Sequence, residues 1–298
     1  MSAAAPEPTP IDSAWLAANP LPVHGDGTTK NSRGRVLAVG GSRRVPGGLL
    51  LTGEAALRVG AGKLMLATIA SAAPLLGIAM PEAGVTALAE DEAGELADEA
   101  GPLLDATRSC DTMVVGPAMV SPEGAVRLVE RLLADPPTDA ALVLDAAAVA
   151  CAGPLCERLR ATFGGRLILT PHLGEMAALC GCDEDAIEAD PAGTARRTAQ
   201  RFGAVLVLKR TETLIAAPDG RTLLRYPGGG VGMATGGSGD VLAGAIAGLV
   251  SRGTDPLRAA GWGVWLHGEA GRALATCVGP IGFLGRELLP QLPRLLPR

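Results

Sequence analysis

At 298 residues, 48% hydrophobic and 19% charged, the chain has the composition of a folded globular protein and not of a disordered one. A formal net charge of −5 with no dense Lys/Arg stripe argues against a protein that binds by neutralising a nucleic-acid backbone. No apolar run is long enough to span a bilayer and residues 1–10 lack the basic and apolar regions of a signal peptide, so a cytoplasmic protein acting on small molecules, with no membrane partner, is expected.

In chain order, residues 1–22 read as a Pro- and Ala-rich lead. The rest, 23–298, shows no linker that divides it and reads as one domain. Arg35–Val39 is a β-type run ended by Gly40-Gly41-Ser42, and residues 48–59 have a helical pattern closed by Gly60. Strands follow at 63–69, at 112–115 (ended by Gly116-Pro117), at 141–144 (ended by Asp145), at 167–169 (ended by Thr170-Pro171-His172) and at 205–208 (ended by Lys209). A helix is expected over about 122–134. Residues 213–217 and 222–226 flank Pro218-Asp219-Gly220, a hairpin signal that predicts an antiparallel edge. The last eighty residues read as helical, with 259–275 especially apolar.

Strands alternating with helices predict an α/β fold with a mostly parallel sheet covered on both faces, and ligands beyond the C-terminal strand ends. Only 2% of residues are aromatic and 41 are glycine, a mixture suited to thin helices packed closely on a sheet. The six cysteines form no repeated C-x-x-C pair and read as buried free thiols. Cys180-Gly181-Cys182 near His172 lacks a fourth ligand and is not read as a zinc site.

The chemistry concentrates in residues 228–240. Side chains are absent from Gly236, Gly237 and Gly239, so backbone N–H groups there and at Ser238 can approach an anion where a helix begins, which makes an anion hole. Phosphate is the natural guest. Asp240 repels a phosphate, yet beside a substrate hydroxyl it can accept the proton as that oxygen attacks phosphorus. The bland alternative is a first-turn acid favourable to the helix dipole. Lys209, with Thr211 and Thr213, is placed to meet a nucleotide phosphate or else is a solvated loop charge. His172 and Glu175 either cap a helix or contact ligand. His267, on an apolar helix beside Trp265, reads as a packed histidine.

Taken together, Arg35-Val36-Leu37-Ala38-Val39-Gly40-Gly41-Ser42, Ala55-Ala56-Leu57-Arg58-Val59-Gly60-Ala61-Gly62, Thr170-Pro171-His172-Leu173-Gly174-Glu175 and Ala234-Thr235-Gly236-Gly237-Ser238-Gly239-Asp240 resemble the NAD(P)H-hydrate dehydratase family. With Trp265-Leu266-His267-Gly268 and Gly282-Phe283-Leu284, the resemblance covers roughly residues 30–292. It implies a ribokinase-like three-layer sandwich and a hydro-lyase that restores NAD(P)H from its hydrate, with Mg²⁺ and with ADP or ATP as phosphoryl donor. The hydrate hydroxyl is phosphorylated and the phosphate then leaves. By position, Gly48, Ala118, His172 and Asp240 fall at hydrate-contacting places, with Asp240 the catalytic base. Lys209, Arg210, Thr211, Glu212, Thr213 and Gly239 fall where the family holds the adenine nucleotide, and no residues are assigned to a metal.

Three positions depart from the family's pattern. Ala118 replaces the last Gly of Gly-Pro-Gly, Arg210 replaces a Gly after Lys209, and Ala147 replaces an Asp in Asp145-Ala146-Ala147. The resemblance also implies a homo-oligomer, often a tetramer, and a functional link to a separate NAD(P)H-hydrate epimerase. The alternatives are a small-molecule kinase of the same fold and a nucleotide-binding protein that has lost catalysis.

Overall fold

The computed structural model describes residues 6–97 and 101–297; residues 1–5 of the expected lead lie outside them. Ten strands form one sheet: β1 (Thr9–Pro10), β2 (Arg35–Val39), β3 (Lys63–Ile69), β4 (Ala83–Leu88), β5 (Thr112–Val115), β6 (Ala141–Leu144), β7 (Leu167–Leu169), β8 (Val205–Leu208), β9 (Thr213–Ala216) and β10 (Leu223–Tyr226). Their order is β1-β10-β9-β8-β7-β6-β5-β2-β3-β4. From β8 to β4 every pairing is parallel, and β9 is antiparallel to both its neighbours. The fold is α/β, a three-layer sandwich, and the central strands β5, β6, β7 and β8 are buried along their whole length and, Thr112 of β5 apart, apolar, as a sheet covered on both faces requires.

The hairpin β9–β10 forms as its Pro-Asp-Gly turn predicts, yet it is not the rim of the sheet. Thr9 and Pro10 pair parallel with Leu224 and Arg225, so part of the lead becomes the outermost strand. A proline fits there because an edge residue has no ladder bond to lose on its open side. Trp262 Nε1 donates to the Asn19 carbonyl at 2.6 Å and Trp15 lies against Gly261, which fastens the same lead to the helix Pro256–Cys277.

Glycine and alanine draw helices close to one another. The helix Ser238–Ser251 crosses the helix Gly48–Arg58 at Gly244 and Gly248, where a Cβ would run into the backbone of Thr52 and Ala56. This contact brings the N-termini of both helices to the C-terminal ends of the strands, where the candidate site lies. Among the described residues no helix is long and apolar enough to cross a membrane.

Candidate active site

Four loops converge beyond the C-terminal strand ends. The first two follow β2 and β5 and are tied together: Gly41 N donates to the Pro117 carbonyl at 2.9 Å and the Ser42 hydroxyl to the Ala118 carbonyl at 3.0 Å. Ala118 is held at φ +60°, a left-handed conformation that costs an alanine on the order of 1 kcal/mol. Its methyl faces Gly48: a Cβ on Gly48 would stand 2.7 Å from that of Ala118 and 3.6 Å from Asp240 Oδ2. Gly48, Ala118 and Asp240 are therefore neighbours.

The third loop follows β6. Asp145, 2% exposed, accepts the Thr170 hydroxyl at 2.6 Å and Lys209 Nζ at 2.8 Å, both on Oδ1. Pairing of β7 with β8 runs past the strands, because Lys209 N donates to the Pro171 carbonyl at 2.8 Å, and this sets Lys209 beside His172. His172 caps the helix Leu173–Cys180: Gly174 N and Glu175 N donate to its Nδ1, and its own N–H donates to Glu175 Oε2 at 2.8 Å. That reciprocal arrangement is a capping box. With Nδ1 occupied as an acceptor, the neutral ring carries its proton on Nε2, and the side chain remains 60% exposed. Glu175 Oε2 also lies 3.6 Å from Lys209 Nζ, so the cap and the charge cluster share one carboxylate.

The fourth loop is glycine-rich and ends at Gly237, φ +84°, immediately before the helix Ser238–Ser251. Asp240, in the first turn, faces the cluster without a hydrogen bond from any described residue. Its pKa is pushed up to about 7, first by burial and then by the like charge of Asp145; Lys209 opposes these and Glu175 adds to them. Burial works to lower the Lys209 pKa, but Asp145 and Glu175 outweigh it and the ammonium is held above its ordinary value. A Cβ on Gly239 would stand 3.5 Å from Lys209 Nζ. The result is a protonatable carboxylate next to a fixed cation, with backbone N–H groups at a helix start beside both: the parts for moving a proton off a hydroxyl while an anion is held.

The other nucleotide candidates divide. Thr211 touches the glycine-rich loop, since a Cβ on Gly228, φ +87°, would strike its carbonyl. Glu212 is tied to Arg225 at 3.1 Å, and Thr213 opens β9, buried and paired with Tyr226. Arg210 is half-buried. Asp145 and Thr170 were not singled out as site residues in the sequence, where Asp145 reads as a turn residue closing a strand. The available signal was its place at a C-terminal strand end level with Lys209. His267 is packed, as expected, with burial pushing its pKa down to about 4.

Among the described residues no group of three or more His, Cys, Asp or Glu side chains is arranged to hold a metal ion, and the nearest carboxylates, Asp145 and Glu175, are engaged by Lys209. Among the described residues there is thus no side-chain cage for the ion. No cysteine joins another in a disulfide among the described residues; Cys110, Cys151, Cys156 and Cys180 are buried or half-buried, whereas Cys182 and Cys277 are exposed.

The family model for NAD(P)H-hydrate dehydratase matches residues 36–294. The chain is 48% identical over 288 residues to the ADP-dependent (S)-NAD(P)H-hydrate dehydratase of Xanthomonas campestris pv. campestris, covering 97% of this chain and 96% of that protein. It is 38% identical to the bifunctional NAD(P)H-hydrate repair enzyme Nnr of Moorella thermoacetica, of which it spans 53% of the length. Its fold superposes with a TM-score of 0.79, at 29% identity and 96% coverage of both chains, on the ADP/ATP-dependent NAD(P)H-hydrate dehydratase from Bacillus subtilis co-crystallised with ATP/Mg²⁺.

Proposed function

The chain belongs to the NAD(P)H-hydrate dehydratase family, and from that premise we propose that it is a hydro-lyase that converts the S form of NAD(P)H hydrate back to NAD(P)H at the expense of ADP. The observation that carries this is Asp240, a carboxylate with its pKa pushed up to about 7 in the first turn of a helix opened by a glycine-rich loop. Such a group is half ionised at neutral pH, the condition for an efficient general base.

Asp240 takes the proton from the hydrate hydroxyl as that oxygen attacks the terminal phosphorus of the nucleotide. The bond between that phosphorus and its bridging oxygen breaks, and the shortened nucleotide leaves with the electron pair. Phosphate then departs from the ring carbon with the C–O electron pair, a proton is lost from the neighbouring carbon, and the ring double bond is restored. Backbone N–H groups of Gly236, Gly237 and Gly239 hold the phosphoryl oxygens, whereas that of Ser238, expected to join them, donates to the Thr235 carbonyl at 3.3 Å; Gly48, Ala118 and His172 border the hydrate. Lys209 and Arg210 supply positive charge to the nucleotide phosphates and Thr211 adds a hydroxyl, while Glu212 and Thr213 shape the strand turn that carries them. Mg²⁺ would come with the nucleotide and not to a side-chain site among the described residues, and when bound it would offset phosphate charge.

We place the protein in the cytoplasm, as a homo-oligomer, alongside a separate epimerase that supplies the S form. The repair enzyme of Moorella thermoacetica is named as bifunctional and is about twice as long, which supports that link. The test is absorbance of the reduced nicotinamide after mixing protein, Mg²⁺ and NADPH hydrate with ADP or with ATP. Nucleotide-dependent recovery is the expected result, larger with ADP. A stable phosphorylated product without recovery selects the kinase alternative, and nucleotide binding without turnover selects the loss of catalysis.

A further inference from the structure

His267 lies outside every role assigned above. It projects from the helix Pro256–Cys277 onto the first residue of the neighbouring helix, with Nε2 2.9 Å from the Ser238 carbonyl oxygen and 3.0 Å from Ser238 Oγ. No side chain of its own segment caps that helix: Gly237 stands at the cap and has none. The imidazole holds the first residue of that helix from outside its own segment.

The donor assignment follows from the carbonyl. A carbonyl oxygen only accepts, so Nε2 carries the proton. Burial keeps the ring neutral, its pKa pushed down to about 4, with Lys209 acting the same way and the bond to Ser238 opposing both. One N–H directed at the Ser238 carbonyl and reaching the hydroxyl oxygen as well leaves the hydroxyl as an acceptor from His267, with its own proton unspent. No other described residue takes that proton. Ser238 is buried, 6% exposed, and is followed by Gly239, whose absent Cβ would face Lys209 Nζ at 3.5 Å; on its other side a Cβ on Gly237 would run into Leu51 Cδ1, with Asp240 Oδ2 at 3.9 Å.

We propose that His267 is a positioning residue that holds the Ser238 hydroxyl as a hydrogen-bond donor to the phosphoryl group in transfer. This rests on the dehydratase reading and adds to it a side-chain donor beside the backbone N–H groups. The hydroxyl strengthens its bond as charge builds on the phosphoryl oxygens, so its contribution falls on turnover and not on nucleotide capture.

The test is kcat and nucleotide KM from nicotinamide recovery, with Tm, for His267→Leu, Ser238→Ala, the double variant and His267→Gln, whose amide restores a donor near the Nε2 position. Each of the first two is expected to lower kcat about 100-fold, the scale of one lost oxyanion donor, with KM little changed. The double variant is expected to be no worse than the worse single one, because both remove the same interaction, and His267→Gln to regain most of the rate. Should His267→Leu fail to fold, His267→Asn, whose amide stops short of Ser238, takes its place. Losses that multiply in the double variant, a His267 variant that lowers Tm and leaves kcat intact, or no rescue by Gln overturns the proposal. Absence of recovery in the wild-type protein overturns the dehydratase reading itself, and the proposal with it.

Discussion

At the N-terminal strand ends Arg35 grips Asp111 through two nitrogens, at 2.6 and 3.1 Å, beside a cavity of about 490 Å³ lined also by Arg108, Cys110 and Asp135. At the C-terminal ends Lys209 faces Asp145, Glu175 and Asp240. Both regions mix acids with a cation, and they differ in water. The Arg35 and Asp111 side chains are 38% and 35% exposed, so solvent screens the pair and its net worth is small. The Lys209 and Asp145 side chains are 19% and 3% exposed, and one ammonium is shared among three carboxylates. A hollow alone does not mark chemistry in this molecule; desolvated charge out of balance does.

Several substitutions sharpen or break that contrast. Asp240→Asn is expected to lower kcat by about 10³-fold, within the range for a lost general base, read by nicotinamide absorbance. The same variant is expected to be more stable than wild type at pH 8. The sign follows from linkage: folding raises the Asp240 pKa to about 7, so the folded state holds a proton that the unfolded chain releases. Stability from this group is then lost as pH rises through 4 to 7, by up to about 4 kcal/mol at high pH. The Tm advantage of Asp240→Asn shrinks below pH 7 and is gone near pH 4; a constant advantage would show that the charge is not the cause.

Lys209→Met is expected to cost about 3–5 kcal/mol of stability, because it strands the buried Asp145, and to weaken nucleotide binding, measured by denaturation and by calorimetry with ADP. Asp145→Asn removes a like charge from Asp240 and frees Lys209 to act on it, so the acid limb of the kcat/KM profile is expected to move to lower pH. An unmoved limb would leave burial and Glu175 as the causes of the shift. Arg35→Ala is expected to change stability by less than about 1 kcal/mol and to leave kcat untouched; a large loss there would erase the distinction between the two ends.

Much of this site can be read from residues alone. Asp240, Gly239 and Lys209 stand at strand and helix ends that hydrophobic runs delimit, and the structure gathers them. What the sequence hides is three-dimensional sharing. Glu175 reads as a first-turn acid and is one, yet its Oε2 also reaches Lys209; a single local role leaves no trace of a second, distant one. Asp145 closes a strand as many turn residues do, and its burial depends on Thr170 and Lys209, 25 and 64 residues away. Among strands, Ala83–Leu88 escapes because its Ala and Gly content gives weak β signal and its outer side is half-exposed. Thr9–Pro10 escapes because two residues carry no periodicity at all.

That short strand has a consequence in time. Thr9 pairs with Leu224, which leaves 215 residues of synthesis between the two partners. At about 5–20 residues per second the segment waits on the order of 10–40 s for its neighbour. During translation, then, β8 and the strands before it can assemble along the growing chain, but the rim cannot be sealed, and the hairpin β9–β10 emerges into a segment that has been waiting since the start. Completion of the sheet is a late, long-range event, with the outer edge of β10 unpaired until it occurs.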